Sequence, residues 1–469
     1  MEKIHSLIGS DFDALVDDLS ALLKIRSVLD ESHMTDEHPF GPGVTAALEK
    51  FLAIASRLGF RTKNIDNMAG YAEAGEGPLF GVLAHLDVVP EGKAGMWKFP
   101  PFGAVVSDGK LYGRGTNDDK GPAMSALYAL KALRDSGTAL NRRFRVIVGL
   151  DEESGFRCIE RYKKTEEIPE EGFSPDANFP VVNGEKGSLS FALSKRISAS
   201  GIKSIKSLPE VIAINGGTRL NVVPDEARIL FRGASAGHLE KVFLPDASVR
   251  NEGAGVQVVV NGAAAHAMEP WKGDNAIYKF LARLDELDFG PPALHAELFK
   301  LRGLFNGETD GKSLGVACRD DISGPLSCNL AVISFDGENL AVKCDIRYPV
   351  KADGKFVLDG IARAADSIGW TPEVLKSKTP LYVAPDSNLV RTLLDAYEAV
   401  TGERGEPFSI GGGTYCRAMP NSVSFGGVFP GEEENAHQAN EYIALDSLRR
   451  MTHIYAEALA RFNRNAGQQ

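Results

Sequence analysis

The sequence predicts an α/β fold: a mostly parallel sheet with flanking helices, interrupted by an inserted α+β segment. Three observations predict it. The run Pro78-Leu79-Phe80-Gly81-Val82-Leu83-Ala84-His85-Leu86-Asp87 reads as a buried strand with polar groups at its end. Residues 144–150 form a second apolar strand that ends in Asp151-Glu152-Glu153, and Met124, Leu127, Leu130 and Leu133 set a helical stripe between the two. Strand, helix, strand is the order of a parallel sheet, whose ligands gather at the C-terminal strand ends. From about Gly187 onward, short alternating strands replace that order.

Taken in sequence, residues 11–27 carry Phe12, Leu15, Leu19, Leu22, Leu23 and Ile25 among acids, an amphipathic helix. Residues 44–58 form a second helix, closed by Gly59. After the His85 strand, Ser107-Asp108-Gly109-Lys110 marks a hairpin, because Asp-Gly accepts the positive φ of a tight turn. The loop Gly113-Arg114-Gly115-Thr116-Asn117-Asp118-Asp119-Lys120-Gly121-Pro122 lacks the pattern of a phosphate cradle. Its glycines let the backbone turn so that Asp118 points back toward the His85 strand end. Pro122 suits the first position of the following helix, and Gly137 stops it. Asp176 lies in a loop just before Pro180-Val181-Val182.

Within the insert, strands are expected at 188–195, 210–213, 227–231, 256–260, 328–334 and 340–348, with helices at 275–287 and 355–368. A long helix at 385–400 and a strand at 422–426 resume the first pattern, and Ala436-His437-Gln438-Ala439-Asn440-Glu441 precedes a last helix. The expected division is a catalytic domain in two parts, 1–186 and 381–469, around an inserted lid at 187–380.

A chain of 469 residues exceeds one ordinary core. Its net charge of -11 argues against nucleic acid or an anionic membrane as partner. No apolar run is long enough to span a bilayer, and the N-terminal stretch lacks a secretory pattern, so a cytoplasmic location is expected. The five cysteines are odd in number and include no CxxC pair, which suggests reduced thiols and no thiolate metal site.

The chemistry-bearing residues are two histidines and several carboxylates at strand ends and loops. Without thiolates this is a hard ligand set, suited to catalytic zinc, manganese or cobalt. One carboxylate bridging two such ions would hold them ~3.5 to 4 Å apart. Spacing alone leaves open which carboxylate bridges. A histidine and an aspartate two residues apart suit a ligand and the carboxylate that orients it.

From Pro39-Phe40-Gly41-Pro42-Gly43-Val44 to Ala436-His437-Gln438-Ala439-Asn440-Glu441 the sequence resembles the di-zinc aminoacylase and carboxypeptidase superfamily, and most closely its peptidase V type of dipeptidase. The resemblance implies two divalent metal ions, zinc in the first place, held by His85 and Asp176 on one side and by Glu153 and His437 on the other, with Asp118 bridging. It implies that Asp87 orients His85, that Glu152 is the general base toward a water shared by both ions, and that the peptide between Asp118 and Asp119 is cis. From the insert, His266 would reach the substrate carbonyl, Arg347 would clasp a free C-terminal carboxylate, and Asn221 would add a polar contact. The glycines around Gly413 would let the backbone approach the substrate.

The resemblance further implies a lid of ferredoxin-like halves and a monomer-competent enzyme for small peptides. Aspartate at position 176 matches the dipeptidase branch. The alternatives are an N-acyl-amino-acid deacylase or desuccinylase of the same superfamily, and a non-catalytic binding protein that keeps the fold. Asp119 and Glu441 are acidic neighbours of ligands, either supporting them or merely solvated.

Overall fold

The computed structural model describes residues 1–197 and 208–466. The chain forms two compact units, one from Met1–Asn183, Tyr382–Phe408 and Gly413–Gln469, the other from Gly184–Leu381 and Ser409–Gly412. The short stretch Ser409–Gly412 thus belongs with the inserted unit.

In the first unit a nine-stranded sheet includes, side by side, Arg61–Ile65, Ala69–Ala74, Arg143–Gly149, Leu79–His85, Glu171–Ser174 and Ser422–Ser424. The last four of these are mutually parallel, and the first two add an antiparallel edge. Leu79–His85 is buried along its whole length, which is why it reads as an unbroken apolar run. Helix Lys120–Asp135 packs against Glu2–Leu23 and Leu445–Ala466, and Leu445–Ala466 also against Asn388–Thr401. Because Lys120–Asp135 lies between neighbours, nearly all its residues are buried.

Several boundaries differ from expectation for identifiable reasons. The first helix starts at Glu2, not 11, because Ile4 and Ile8 continue the buried stripe of Phe12, Leu15 and Leu19. It ends at Leu23. Helix Lys120–Asp135 begins two residues before Pro122, which therefore sits in the first turn, where a missing N–H costs nothing. Strand Arg61–Ile65 escaped prediction because four of its five residues are exposed, and Arg157–Thr165 because it is a short helix rich in charge.

The second unit is an eight-stranded antiparallel sheet in the order Ala247–Glu252, Gly255–Asn261, Glu226–Arg232, Glu210–Gly216, Ser327–Phe335, Asn339–Tyr348, Gly187–Arg196, Thr371–Lys378. Helices Ala276–Ala282, Pro292–Phe305 and Gly354–Ser367 contribute Ile277, Leu298 and Val357 to its core. The expected helix at 275–287 is shorter: Asn275 caps it by accepting from the N–H groups of Ile277 and Tyr278, and a 3-10 turn at Leu284–Glu286 follows. Helices Ala236–Phe243 and Pro292–Phe305 were not anticipated. All five cysteines are free thiols. Among the described residues no helix is long and apolar enough to cross a membrane.

The strand that ends at His85 is pressed against its neighbour at two glycines. Gly81 faces Gly172, and a Cβ on Gly172 would lie 2.0 Å from the Gly81 carbonyl oxygen. Backbone cannot yield as a flexible side chain can. We therefore expect Gly172→Ala to destabilise the protein by about 1 to 3 kcal/mol, as overpacking of a tight interior does. A lowered unfolding temperature in a thermal melt checks this; an unchanged one contradicts it.

Candidate metal centre

His85 closes its strand in register with Gly149 of the neighbouring strand, so Asp87 and the pair Glu152 and Glu153 emerge at the same sheet edge. Asp176 follows the end of Glu171–Ser174, the next parallel strand. Parallel strands are what bring these distant positions together.

Asp118 lies between the two imidazoles. Its Oδ1 is 2.8 Å from His85 Nε2 and its Oδ2 is 2.9 Å from His437 Nε2. Asp176 Oδ2 stands 3.8 Å from His85 Nε2, and Glu153 Oε1 stands 2.9 Å from His437 Nε2. Two ligand groups result, His85 with Asp118 and Asp176, and Asp118 with Glu153 and His437. Asp118 belongs to both. Gly115, at φ +93°, supplies the turn that the loop before Asp118 needs, and the peptide between Asp118 and Asp119 is cis.

Asp87 faces His85 Nδ1 through its main chain and, at longer range, through its side chain. The nearest partner of His85 Nδ1 is the Asp87 backbone carbonyl at 2.9 Å, whereas the Asp87 carboxylate is 3.6 Å away. That carboxylate instead accepts the N–H groups of Glu152 at 3.2 Å and Glu153 at 3.1 Å. Beyond the strand the chain curls, so the main chain of Asp87 meets the imidazole and its side chain anchors the glutamate turn. Asp119 is buried and accepts the His85 N–H at 3.1 Å; Glu441 is wholly buried, which excludes the solvated alternative for both.

The residues fit a cation. His85 Nε2 is buried and has no hydrogen-bond partner, despite the carboxylate oxygen 2.8 Å away. A buried imidazole nitrogen and acid oxygens converging in this way make a donor set suited to a metal. The acids also crowd one another. Burial, then Asp118, pushes the Asp176 carboxyl up to about 7. Burial, then Asp176, pushes Glu152 well above the usual carboxylate range, and burial with Asp118 raises Glu153. Burial opposes charge on both Asp118 and His437, yet their mutual contact prevails: Asp118 falls far below its ordinary value, and His437 rises to about 11.

Tyr415 was missed by sequence reasoning. Its ring stands edge-on to His85, centroids 6.1 Å apart, and its Oη is 2.7 Å from Cys158 Sγ. Only a glycine at 149 leaves room for it, since a Cβ there would lie 2.4 Å from that oxygen. Tyr415 stands after the glycines 411–413 and Thr414, where the sequence drew attention to the backbone and not to this ring.

The space a Cβ would take at Gly413 is filled by the Arg417 guanidinium, 2.7 Å away at Nε. The remaining candidates, Asn221, His266 and Arg347, lie in the second unit. His266 Nδ1 accepts the Met268 N–H at 3.1 Å, which places the ring proton on Nε2. The backbone bridge between Val222 and His266, with Ala267 N–H donating to the Asn221 carbonyl, joins the Asn221 and His266 loops. Arg347 donates Nε to Asp345 at 2.7 Å, while Asp345 also accepts from Ser190. Its guanidinium is therefore held in one orientation.

Residues 81–461 match the model of Peptidase family M20/M25/M40, and the chain belongs to that family. It is accordingly a hydrolase, a metal-dependent exopeptidase. Among its relatives is the "Putative dipeptidase YtjP" of Bacillus subtilis (strain 168), 39% identical over 459 residues, covering 95% of this chain and 96% of the relative. A Staphylococcus aureus (strain MRSA252) protein of like description, SAR1836, is 38% identical over 460 residues, with coverage of 95% and 96%. The fold is similar to that of the di-peptidase Dug1p from Saccharomyces cerevisiae (TM-score 0.59, 15% identity, 99% of this chain and 98% of that one). Human carnosine dipeptidase 1 is similar at TM-score 0.57 and 16% identity, with coverage of 99% and 98%.

If Asp118 serves both groups, Asp118→Asn should lose divalent metal from each, whereas Asp176→Asn should lose it from one only. Metal analysis by plasma mass spectrometry after gel filtration distinguishes them. Equal losses in the two variants would contradict the sharing.

Proposed function

We propose that the protein is a dipeptidase acting on unmodified dipeptides, with two divalent cations, zinc in the first place, held by the two groups that share Asp118. The observation that carries this is the position of Asp118 between His85 and His437, with Glu152 tethered alongside by Asp87. The names of the relatives at 38 and 39% identity support the dipeptidase reading over the deacylase one, as does aspartate at 176.

When bound, such cations lower the pKa of water and polarise the scissile carbonyl. The chain's own groups do the rest. Glu152 takes a proton from the attacking water at its carboxylate and returns it to the leaving amine. Its raised affinity for a proton, set by burial and then Asp176, suits a group that must both accept and give one. The anchored turn at Asp87 keeps Glu152 and Glu153 pointing to different tasks, one to the proton and one to a cation. From the second unit, His266 donates from Nε2 to the carbonyl oxygen, and the oriented Arg347 binds the C-terminal carboxylate through a planar fork. Asn221 adds a polar contact on the loop joined to His266.

Hydrolysis of free dipeptides, compared with N-acylated amino acids, in the presence of zinc, manganese or cobalt tests the assignment. Faster turnover of dipeptides is expected; preference for acylated substrates would favour the deacylase. Glu152→Ala should keep the metals and the melting temperature yet lower kcat by about 10²- to 10⁴-fold, the usual contribution of a general base. Near-normal turnover in that variant would remove Glu152 from this role.

A further inference from the structure

We propose that the buried ion pair of Arg114 with Glu441 is a positioning device that sets the affinity of the cation subsite formed by Asp118, Glu153 and His437. The proposal rests on the metal-dependent reading of that site. Asp118 and His437 arrive on loops more than three hundred residues apart in the chain, and something must hold those loops together before any cation binds.

Glu441 lies four residues after His437 and is completely buried. Its Oε2 receives Arg114 Nη1 at 2.6 Å. Its Oε1 accepts the N–H groups of Gly115 and Asn117, both at 3.0 Å, and faces the Asp118 N–H at 3.4 Å. One carboxylate therefore gathers the backbone that leads into Asp118. The Gly113 N–H returns to the Glu441 carbonyl at 3.0 Å. Asn117 Nδ2 crosses to Asn435 Oδ1 at 2.8 Å and to the Tyr442 carbonyl at 2.9 Å. Arg114 is packed beside Trp97, its guanidinium carbon 5.3 Å from the ring centre.

Burying two opposite charges is a poor way to gain stability, because their lost hydration roughly cancels their attraction. What the pair supplies is direction. With it the His437 loop and the Asp118 loop meet with Nε2 and Oδ2 2.9 Å apart. None of Arg114, Asn117 or Glu441 belongs to either ligand group, so their influence on a cation passes through the ligands.

Zinc affinity, measured by competition with a chromophoric chelator, tests the proposal in Glu441→Gln, Asn117→Ala and the ligand variant Glu153→Gln. Thermal melts and steady-state kinetics over a range of zinc concentrations accompany it. Removing an outer partner of a metal ligand costs about 10- to 100-fold in affinity. That loosening is expected at one class of zinc in Glu441→Gln and in Asn117→Ala, with the zinc needed for half-maximal activity rising in step. KM for the dipeptide, and kcat at saturating zinc, should stay close to the unaltered enzyme. Asn117→Ala leaves both buried charges paired and reports the crosslink to Asn435 and Tyr442; should Glu441→Gln fail to fold, Arg114→Lys, which keeps a cation beside Glu441 without the planar fork, decides the matter by the same zinc competition. A lowered melting temperature with unchanged zinc affinity, beside a weakened Glu153→Gln, overturns the positioning role alone. Unchanged affinity in all three variants overturns the metal-centre reading with it.

Discussion

Charge crowding at one sheet edge is the constraint on which the site depends. Asp118, Glu152, Glu153 and Asp176 converge within a largely buried space, where burial and neighbouring acids raise the cost of ionising Glu152, Glu153 and Asp176. Two like charges about 4 Å apart repel by roughly 4 kcal/mol at the effective dielectric near a protein surface. Divalent cations turn that repulsion into attraction. The architecture is therefore an arrangement for tolerating unbalanced acids until cations arrive.

The sheet makes the arrangement cheap to assemble. Parallel strands end at one edge, so His85, the turn at Glu152 and Glu153, and Asp176 need only short excursions to meet. The two members from loops, Asp118 and His437, need more support. They receive it from glycine at 115, from Glu441 and from the Asn117 crosslink. Asp87 fixes the glutamate turn through its side chain while its carbonyl orients His85. One residue thus links His85 to the turn that carries Glu152 and Glu153.

Much of this was legible in the sequence because it is local. An apolar run that stops at His85, and another that stops before Glu152, announce both a strand and what it delivers. The parallel core and the change to an antiparallel sheet after Gly187 follow from the same periodicities. The edge strand Arg61–Ile65 carries no such pattern, since solvent covers most of it. Non-local facts were the least legible. Whether Glu441 is solvated or buried depends on Arg114, more than three hundred residues earlier. The division of labour at Asp87 depends on how the chain bends after its strand, and spacing by two could not distinguish carbonyl from carboxylate. Tyr415 is visible only through the vacancy that Gly149 leaves for it.

Anomalous X-ray scattering from zinc-loaded crystals, collected on either side of the zinc absorption edge, reaches the central claim most directly. The account predicts two peaks, one on each side of the Asp118 carboxylate, with His85 and Asp176 on one and Glu153 and His437 on the other. A single peak that Asp118 does not touch, or density only at remote surface acids, would contradict it.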